Sequence, residues 1–173
     1  GNNSSGVQQN IIDKFTFSAD ANATDIGDMT VGRYGGAGQS STTHGYTSGG
    51  YSSASSPAVT NIIDKFTYAS DANATDVGDI SVSRYYSAGQ SSTTHGYHSG
   101  AITSGDGGTN VIDKFSFTTD GNATDVGDIT LTRHNATGQS SNTHGYTSGG
   151  EGGSTTNVID KFSFTTDGNA TDV

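Results

Sequence analysis

The chain has 173 residues and a net charge of −10, and only 27 of its residues are Ile, Leu, Val or Phe. The absence of cysteine excludes a disulfide framework and a thiolate metal site. No nucleic-acid partner is expected because clustered Lys and Arg are missing, and no membrane insertion is expected because no apolar run is long enough to span a bilayer.

A repeated unit organises the sequence. Its marker is the aspartate of an Ile-Asp-Lys-Phe motif, which recurs at separations of 51, 49 and 47 residues as Asp13, Asp64, Asp113 and Asp160. Unit length varies only in the Ser/Gly/Thr-rich segments 51–60, 101–109 and 151–156, which indicates exposed loops. We therefore predict a lead-in, three full units and a truncated fourth, at residues 1–9, 10–60, 61–109, 110–156 and 157–173.

The low apolar content and the charge are typical of disordered chains. However, a pair of aromatic residues recurs at the same place in every unit: Phe15 and Phe17, Phe66 and Tyr68, Phe115 and Phe117, Phe162 and Phe164. A unit with so little apolar mass cannot bury its own faces. We therefore predict a folded array in which each unit stacks on its copies.

The predicted elements of a unit, in chain order, are strands. In the third unit, the stretch NVIDKFSFTT alternates as a strand that is apolar on both faces, with Phe115 on one face and Ile112 on the other. The segment 120–127 is rich in Asp, Asn and Gly and predicts a turn, and residues 128–133 predict a second strand. The stretches GQSSNTHG and YTSGG predict two further strands that meet at Gly145. No helical period is present.

The charged residues of the motif are expected to join neighbouring units. Successive strand residues point to opposite faces, so the Asp and the Lys of the motif cannot pair with each other. We predict that each meets a partner on a neighbouring unit, and that an Arg bridges to the strand Asp between blades. The three arginines are Arg33, Arg84 and Arg133.

The order of these elements resembles a kelch repeat, in which a Gly-Gly pair ends one strand, a polar pair lies in the next strand, and an Arg follows the fourth. Gly49-Gly50 and Gly149-Gly150 match the glycine pair, whereas Gly100-Ala101 departs from it and the kelch Trp is absent. The motif aspartates sit near the polar position, and the three arginines match the kelch Arg. This resemblance implies an all-β fold of tandem four-stranded blades, as a β-propeller or as part of one.

Closed propellers have about four to eight blades, and this sequence supplies fewer. Residues 10–33 are predicted to form the last two strands of one blade, and residues 139–150 and 157–173 the first three strands of another. We therefore predict that the chain pairs with copies of itself or belongs to a longer array. The alternative architecture is a β-solenoid, in which the units stack along an axis into a fibre.

A second resemblance concerns the amino-acid sequence of the repeats. DKFSFTTDGNATDVGD and GQSSTTHGYTSGG look like repeats in predicted structural proteins of marine bacteriophages. The resemblance implies a virion or appendage protein, and therefore an extracellular or virion location.

An acidic cluster recurs in each full unit and is a candidate calcium site. Calcium takes six to eight oxygen ligands, which closely spaced Asp and Asn can supply, and the pattern is similar to the calcium loops of integrin-type propellers. The spacing has one residue too many and lacks a bidentate Glu, so a turn with Asx hydrogen bonds is the competing interpretation. The residues are Asp20, Asn22, Asp25 and Asp28, then Asp71, Asn73, Asp76 and Asp79, then Asp120, Asn122, Asp125 and Asp128.

Repeated histidines and tyrosines are candidate binding residues. A His precedes each Gly-Tyr pair, and such side chains can converge on a transition metal or simply bond to neighbouring Ser and Thr. The residues are His44, His95 and His144 with Tyr46, Tyr97 and Tyr146, the tyrosines being expected near exposed strand ends. His98 and His134 are not repeated and are expected on the surface.

No catalytic constellation stands out, because the acidic and His residues recur by repetition rather than as one asymmetric set. Weak contacts made in several copies gain avidity. We predict a non-catalytic structural or adhesive module that binds a host receptor or a surface glycan in multivalent fashion. The alternatives are a calcium-dependent, lectin-like carbohydrate-binding propeller and a non-catalytic propeller domain of a secreted enzyme.

Overall fold

The computed structural model describes residues 1–105 and 107–173, and within them the fold is all-β, as predicted. The strands are β1 (Ile11–Lys14), β2 (Thr24–Asp28), β3 (Ala37–Ser40), β4 (His44–Tyr51), β5 (Val59–Thr67), β6 (Thr75–Asp79), β7 (Arg84–Tyr85), β8 (Ala88–Ser91), β9 (His95–Thr103), β10 (Gly108–Ser116), β11 (Thr124–Asp128), β12 (Thr137–Ser140), β13 (His144–Ser148), β14 (Ile159–Ser163) and β15 (Thr171–Asp172).

Antiparallel meanders connect these strands into sheets. One sheet runs β3-β4-β5-β6 and another runs β12-β13-β14-β15. Between them, β8 and the short β7 both pair with β9, which continues to β10 and β11. The strands β1 and β2 form a two-stranded sheet. Each larger sheet therefore combines two strands from the end of one sequence unit with the first two strands of the next unit.

The predicted boundaries of the second strand are wrong. The strand is β11, at residues 124–128, and all of it except Asp128 lies in the segment 120–127 that the sequence predicts as a turn. Asp125 accepts a hydrogen bond from the Gly127 N–H within this strand, so the Asp-Gly signal marks an irregular strand here. Residues 129–132 leave the sheet, and the Thr130 N–H and hydroxyl both donate to the Asp160 carboxylate of the next sheet.

The predicted meeting point of the last two strands is also wrong. Gly145 lies inside β13, and the turn falls at residues 141–143. The Ser141 side chain accepts hydrogen bonds from the backbone N–H groups of Thr143 and His144, which closes the turn before the glycine. A side-chain bond of this kind lets Ser direct a turn without Gly.

Small apolar cores fill the space between neighbouring sheets. The first contains Tyr46 and Ile63 of one sheet with Phe115 of the next, and the second contains Tyr97 and Ile112 with Phe162. Phe115 and Ile112 thus lie on opposite faces of β10, as predicted. The register shift opposite Ile112 and Asp113 comes from an extra residue, Val126, in β11, and both Ile112 and Asp113 are buried because β10 lies between two layers. The inter-sheet contact is therefore the principal site of apolar burial.

The predicted charge links are confirmed at the three junctions between units. The buried guanidinium of each Arg contacts the strand Asp of the following unit, at 2.8–2.9 Å, in the pairs Arg33–Asp64, Arg84–Asp113 and Arg133–Asp160. The first three motif lysines each contact an acidic residue of the following unit near the surface, in the pairs Lys14–Asp71, Lys65–Asp120 and Lys114–Asp167. Within the described ranges, Asp13 and Lys161 make no such link. The same pair of links therefore joins each unit to the next.

Candidate ligand-binding surface

The acidic clusters of the sequence are distributed among structural contacts. The Asp71 and Asp120 carboxylates face the motif lysines of the preceding unit. The side-chain oxygens of Asn73 and Asn122 accept hydrogen bonds from the Asp28 and Asp79 backbone N–H groups, at 3.0 Å. The oxygen atoms of these candidate calcium ligands therefore face neighbouring sheets and do not converge on one shared centre.

The remaining members of the clusters make contacts within an irregular strand, make backbone contacts to the next sheet, or are exposed. The Asp25, Asp76 and Asp125 carboxylates accept from the N–H groups of Gly27, Gly78 and Gly127, all at 3.1 Å. Asp20 and Asn22 are exposed at the start of the chain. Asp28, Asp79 and Asp128 act through their carbonyl oxygens, which accept from Ala74, Ala123 and Ala170. Across residues 1–105 and 107–173, no three His, Cys, Asp or Glu side chains are grouped closely enough to hold a metal ion.

The repeated histidines each contact a threonine of their own unit. His44, His95 and His144 each place Nδ1 within 2.8–2.9 Å of the hydroxyl of the preceding Thr. Partial burial, and secondarily the positive charge of Lys114, lower the pKa of His95. The bond to a neighbouring hydroxyl agrees with the plainer of the two interpretations of these residues.

The expectation that the repeated tyrosines are exposed is wrong for two of them. Tyr46 and Tyr97 are buried in the inter-sheet cores and stack on Phe117 and Phe164, with ring centroids 4.8 and 4.7 Å apart. Burial raises the pKa of both tyrosines. Tyr146 is half-buried on the last sheet. A next sheet covers the first two rings, so neither can contact a ligand while the sheets remain stacked.

The expected surface position of His98 is also wrong. Its side chain is fully buried, and its Nδ1 lies 2.7 Å from the Ser48 hydroxyl of the neighbouring sheet. Burial, and then the charge of Arg84, lower the pKa of His98 well below its ordinary value. His134 is half-buried, with Nε2 3.2 Å from the Glu151 carboxylate.

A concave surface of about 460 Å³ spans three consecutive sheets. We call it the hydroxyl surface. Its lining comes from equivalent positions at the ends of β3, β8 and β12 and in the turns that follow them: Ser40, Ser41, Thr42, Gly89, Gln90, Ser91, Ser92, Thr93, Ser140, Ser141 and Asn142. Hydroxyl and amide groups in several copies can donate and accept hydrogen bonds to a polar ligand.

Close packing of the inner strands creates this surface. A Cβ atom placed on Gly89 would lie 2.3 Å from the Gly38 carbonyl oxygen, and one on Gly138 would lie 2.1 Å from the Gly89 carbonyl oxygen. The Ser40 N–H donates to the Ser91 hydroxyl, and the Ser91 N–H donates to the Ser140 hydroxyl. Only glycine allows this approach, and the approach brings the three turns into one row.

The tips of the turns are free to meet a ligand. Ser41, Ser92 and Ser141 use their hydroxyls to hold the turns. Thr42, Thr93 and Asn142 are exposed, and within the described part of the chain their side chains make no hydrogen bond. These three residues occupy equivalent positions of the sequence repeat. Their convergence depends on the packing of β3, β8 and β12, and the pattern of strands in the sequence does not predict that packing.

The sequence analysis did not predict a cluster of four tyrosines. Tyr34, Tyr51, Tyr85 and Tyr86 lie with neighbouring ring centroids 4.8–6.4 Å apart. The cluster joins the segment before β3, the end of β4 and the short strand β7 with the residue that follows it. The adjacent Arg-Tyr pairs at 33–34 and 84–85 could have indicated it, because they recur at one position of the repeat.

No protein-family model matches the chain, and no curated protein sequence is significantly similar to it. No helix in the described ranges has the length and the apolar character that crossing a membrane would require.

Proposed function

We propose that the chain is a non-catalytic structural or adhesive β-repeat module that binds a surface glycan or host receptor through the hydroxyl surface. The observation that carries the proposal is the convergence of equivalent Ser, Thr and Asn side chains from three sheets on one concave face. A polyhydroxylated ligand such as a glycan matches such a face, because hydroxyls both donate and accept hydrogen bonds. Several weak contacts on one scaffold add to avidity.

The proposal includes an architecture and a location. The sheets are blades of a kelch-like β-propeller or part of one, with a β-solenoid as the alternative, and an oligomer or a longer array completes them. Four-stranded antiparallel meanders joined by the same Arg–Asp link support the blade interpretation. The resemblance to phage structural repeats supports a virion appendage or another extracellular assembly.

The calcium-dependent alternative finds little support in the geometry. The candidate ligands Asp71, Asn73 and Asp76 each contact a different protein group. We therefore propose calcium-independent binding. The enzyme-domain alternative likewise has no specific contact that favours it.

Glycan-array screening of the soluble chain, repeated with the strongest ligand by calorimetry, tests the proposal. The variants Thr42→Ala, Thr93→Ala and Asn142→Ala are expected to weaken binding by about two- to tenfold each, and the triple variant is expected to abolish it. Thr119→Ala, an exposed threonine away from the hydroxyl surface, serves as the matched control. EDTA should leave binding unchanged.

Unchanged binding by the triple variant, a strict calcium requirement, or no ligand on the array would contradict the proposal. Because the side chains of Thr42, Thr93 and Asn142 make no hydrogen bond within residues 1–105 and 107–173, the variants are expected to unfold at the same temperature as the parent chain. A loss of binding would therefore report the surface itself.

A further inference from the structure

A groove of about 540 Å³ lies along β1, and we call it the β1 groove. Its lining includes Ile12, Asp13, Phe15, Phe17, Phe66 and Tyr68. Within the described ranges, β1 pairs only with β2, so its other edge has no partner strand. An unpaired edge presents backbone N–H and C=O groups to an incoming strand.

Every other sheet holds two inner strands at the equivalent place. β3 and β4 precede β5, β8 and β9 precede β10, and β12 and β13 precede β14. The β1–β2 pair repeats the outer half of those sheets, with Ile11 opposite Asp28 as Val111 is opposite Asp128. The β1 groove therefore has the position that an inner hairpin occupies in the rest of the molecule.

The first matching feature is an uncovered aromatic ring. Phe66, Phe115 and Phe162 each lie over a cross-strand glycine of the inner hairpin, and a Cβ there would come within 2.2–2.3 Å of the ring. Phe15 has the same position in β1, and it is 61% exposed. A glycine-bearing strand paired to β1 would let this ring pack in the same way.

The second matching feature is an uncovered carboxylate. Asp64 is fully buried and accepts from the Arg33 guanidinium and from the Thr30 N–H and hydroxyl. Asp13 is the equivalent residue, but it is exposed and lines the groove. The residues that satisfy such an Asp lie in the segment just before the inner hairpin.

The third matching feature lies on the opposite wall. Tyr46 of one inner hairpin packs on Phe115 and Phe117 of the next sheet, with centroids 5.5 and 4.8 Å apart. Phe66 and Tyr68 are the equivalent pair, and Tyr68 is 49% exposed. A tyrosine entering the β1 groove would cover them.

We propose that the β1 groove binds a β-hairpin of this chain's own inner-strand sequence, supplied by another repeat unit. Residues 30–51 represent such a hairpin, because they carry the Arg, the glycine and the tyrosine that match Asp13, Phe15 and the Phe66–Tyr68 pair. Backbone pairing to β1 supplies affinity, and these three side-chain matches supply specificity. The proposal rests on the completion of the blades by further units that is part of the proposed function, and the β1 groove shares only Ser40 and Ser41 with the hydroxyl surface.

Fluorescence anisotropy tests it with a labelled synthetic peptide of residues 30–51 and the intact chain. The parent peptide is expected to bind saturably. A peptide with Gly45→Val is the sharpest control, because its added side chain would strike the Phe15 ring, and it is expected to bind at least about tenfold more weakly.

Two chain variants locate the site. Asp13→Asn and Phe15→Ala are each expected to weaken peptide binding about tenfold, whereas Val173→Ala, which removes a comparably exposed apolar side chain elsewhere, is expected to have no effect. Because Asp13 and Phe15 are exposed, the melting temperature of these variants should match that of the parent.

Three results would overturn the proposal. The first is no binding of the parent peptide at concentrations up to about 1 mM. The second is equal binding of the parent and Gly45→Val peptides. The third is concentration-dependent dimerisation of the chain that Phe66→Ala abolishes but that the parent peptide does not inhibit, because the occupant would then be a different surface of a second copy and not an inner hairpin.

Discussion

Single residues decide how tightly neighbouring units are joined, and the two charge links of each junction differ greatly in burial. Arg84 and Asp113 are both fully buried, and the Ser81 N–H and hydroxyl also donate to this carboxylate. Lys65 and Asp120 lie near the surface, with the Asp side chain 56% exposed. Removing one partner of a buried pair leaves an uncompensated charge, whereas an exposed pair contributes little.

We therefore expect Asp113→Asn to lower the free energy of unfolding by about 3–5 kcal/mol. Asp120→Asn is the matched control, since it breaks the exposed link at the same junction, and it should cost about 1 kcal/mol or less. Urea denaturation followed by circular dichroism measures both. Similar small losses for the two variants would show that the buried link does not hold the junction.

His98 makes stability depend on pH. Its folded-state pKa lies below the unfolded value because it is buried beside Arg84. The unfolded chain therefore binds the proton more readily than the folded chain. The free energy of unfolding is consequently highest above about pH 6.5, where His98 is neutral in both states, and it declines as the pH falls below that value.

The variant His98→Thr tests this dependence, because Thr47 and Thr147 occupy the equivalent positions and the Thr147 hydroxyl contacts Ser99 as His98 contacts Ser48. Between pH 6.5 and 5.5 the parent should lose about 1 kcal/mol more stability than the variant. Urea midpoints at the two pH values provide the measurement. Parallel pH profiles would contradict the assigned role of His98.

At the scale of strands, the sequence predicted the class of each element better than its ends. The alternation around Phe115 correctly assigned two faces to β10. Apolar residues occur on both faces of this strand because each face packs against a different neighbouring layer. The strand expected at 128–133 failed because Ile129 and Arg133 are buried by the next sheet, not by a β-ladder. Burial between sheets can imitate strand alternation.

Side-chain bonds across sheets explain the other differences. The aspartate-rich segment looked like a turn or a metal loop, but its Asn residues bond to the backbone of the preceding sheet and Thr124–Asp128 forms a strand. No local pattern reports such contacts, since they depend on which copy lies alongside. The buried Tyr46 was misjudged for the same reason, because only the neighbouring sheet covers it.

For the whole molecule, the repeated sequence predicted an Arg–Asp link between units and a partner for the motif Lys on a neighbouring unit, and both are found at the three junctions. The convergence of three turns into the hydroxyl surface could not be predicted, because it requires the approach of Gly38, Gly89 and Gly138. Both features depend on stacking. The central claim is therefore that each sheet gains its stability from contact with its neighbours.

The most direct measurement is the folding of one sheet by itself. A fragment of residues 30–80 contains β3 to β6 with the Arg33–Asp64 pair, but it lacks the Phe115 side of the first core. Circular dichroism and urea titration of this fragment, beside the intact chain, should show no cooperative unfolding in the fragment and a cooperative transition in the chain. A cooperative transition in the fragment, with a free energy of unfolding close to that of the chain, would contradict the claim.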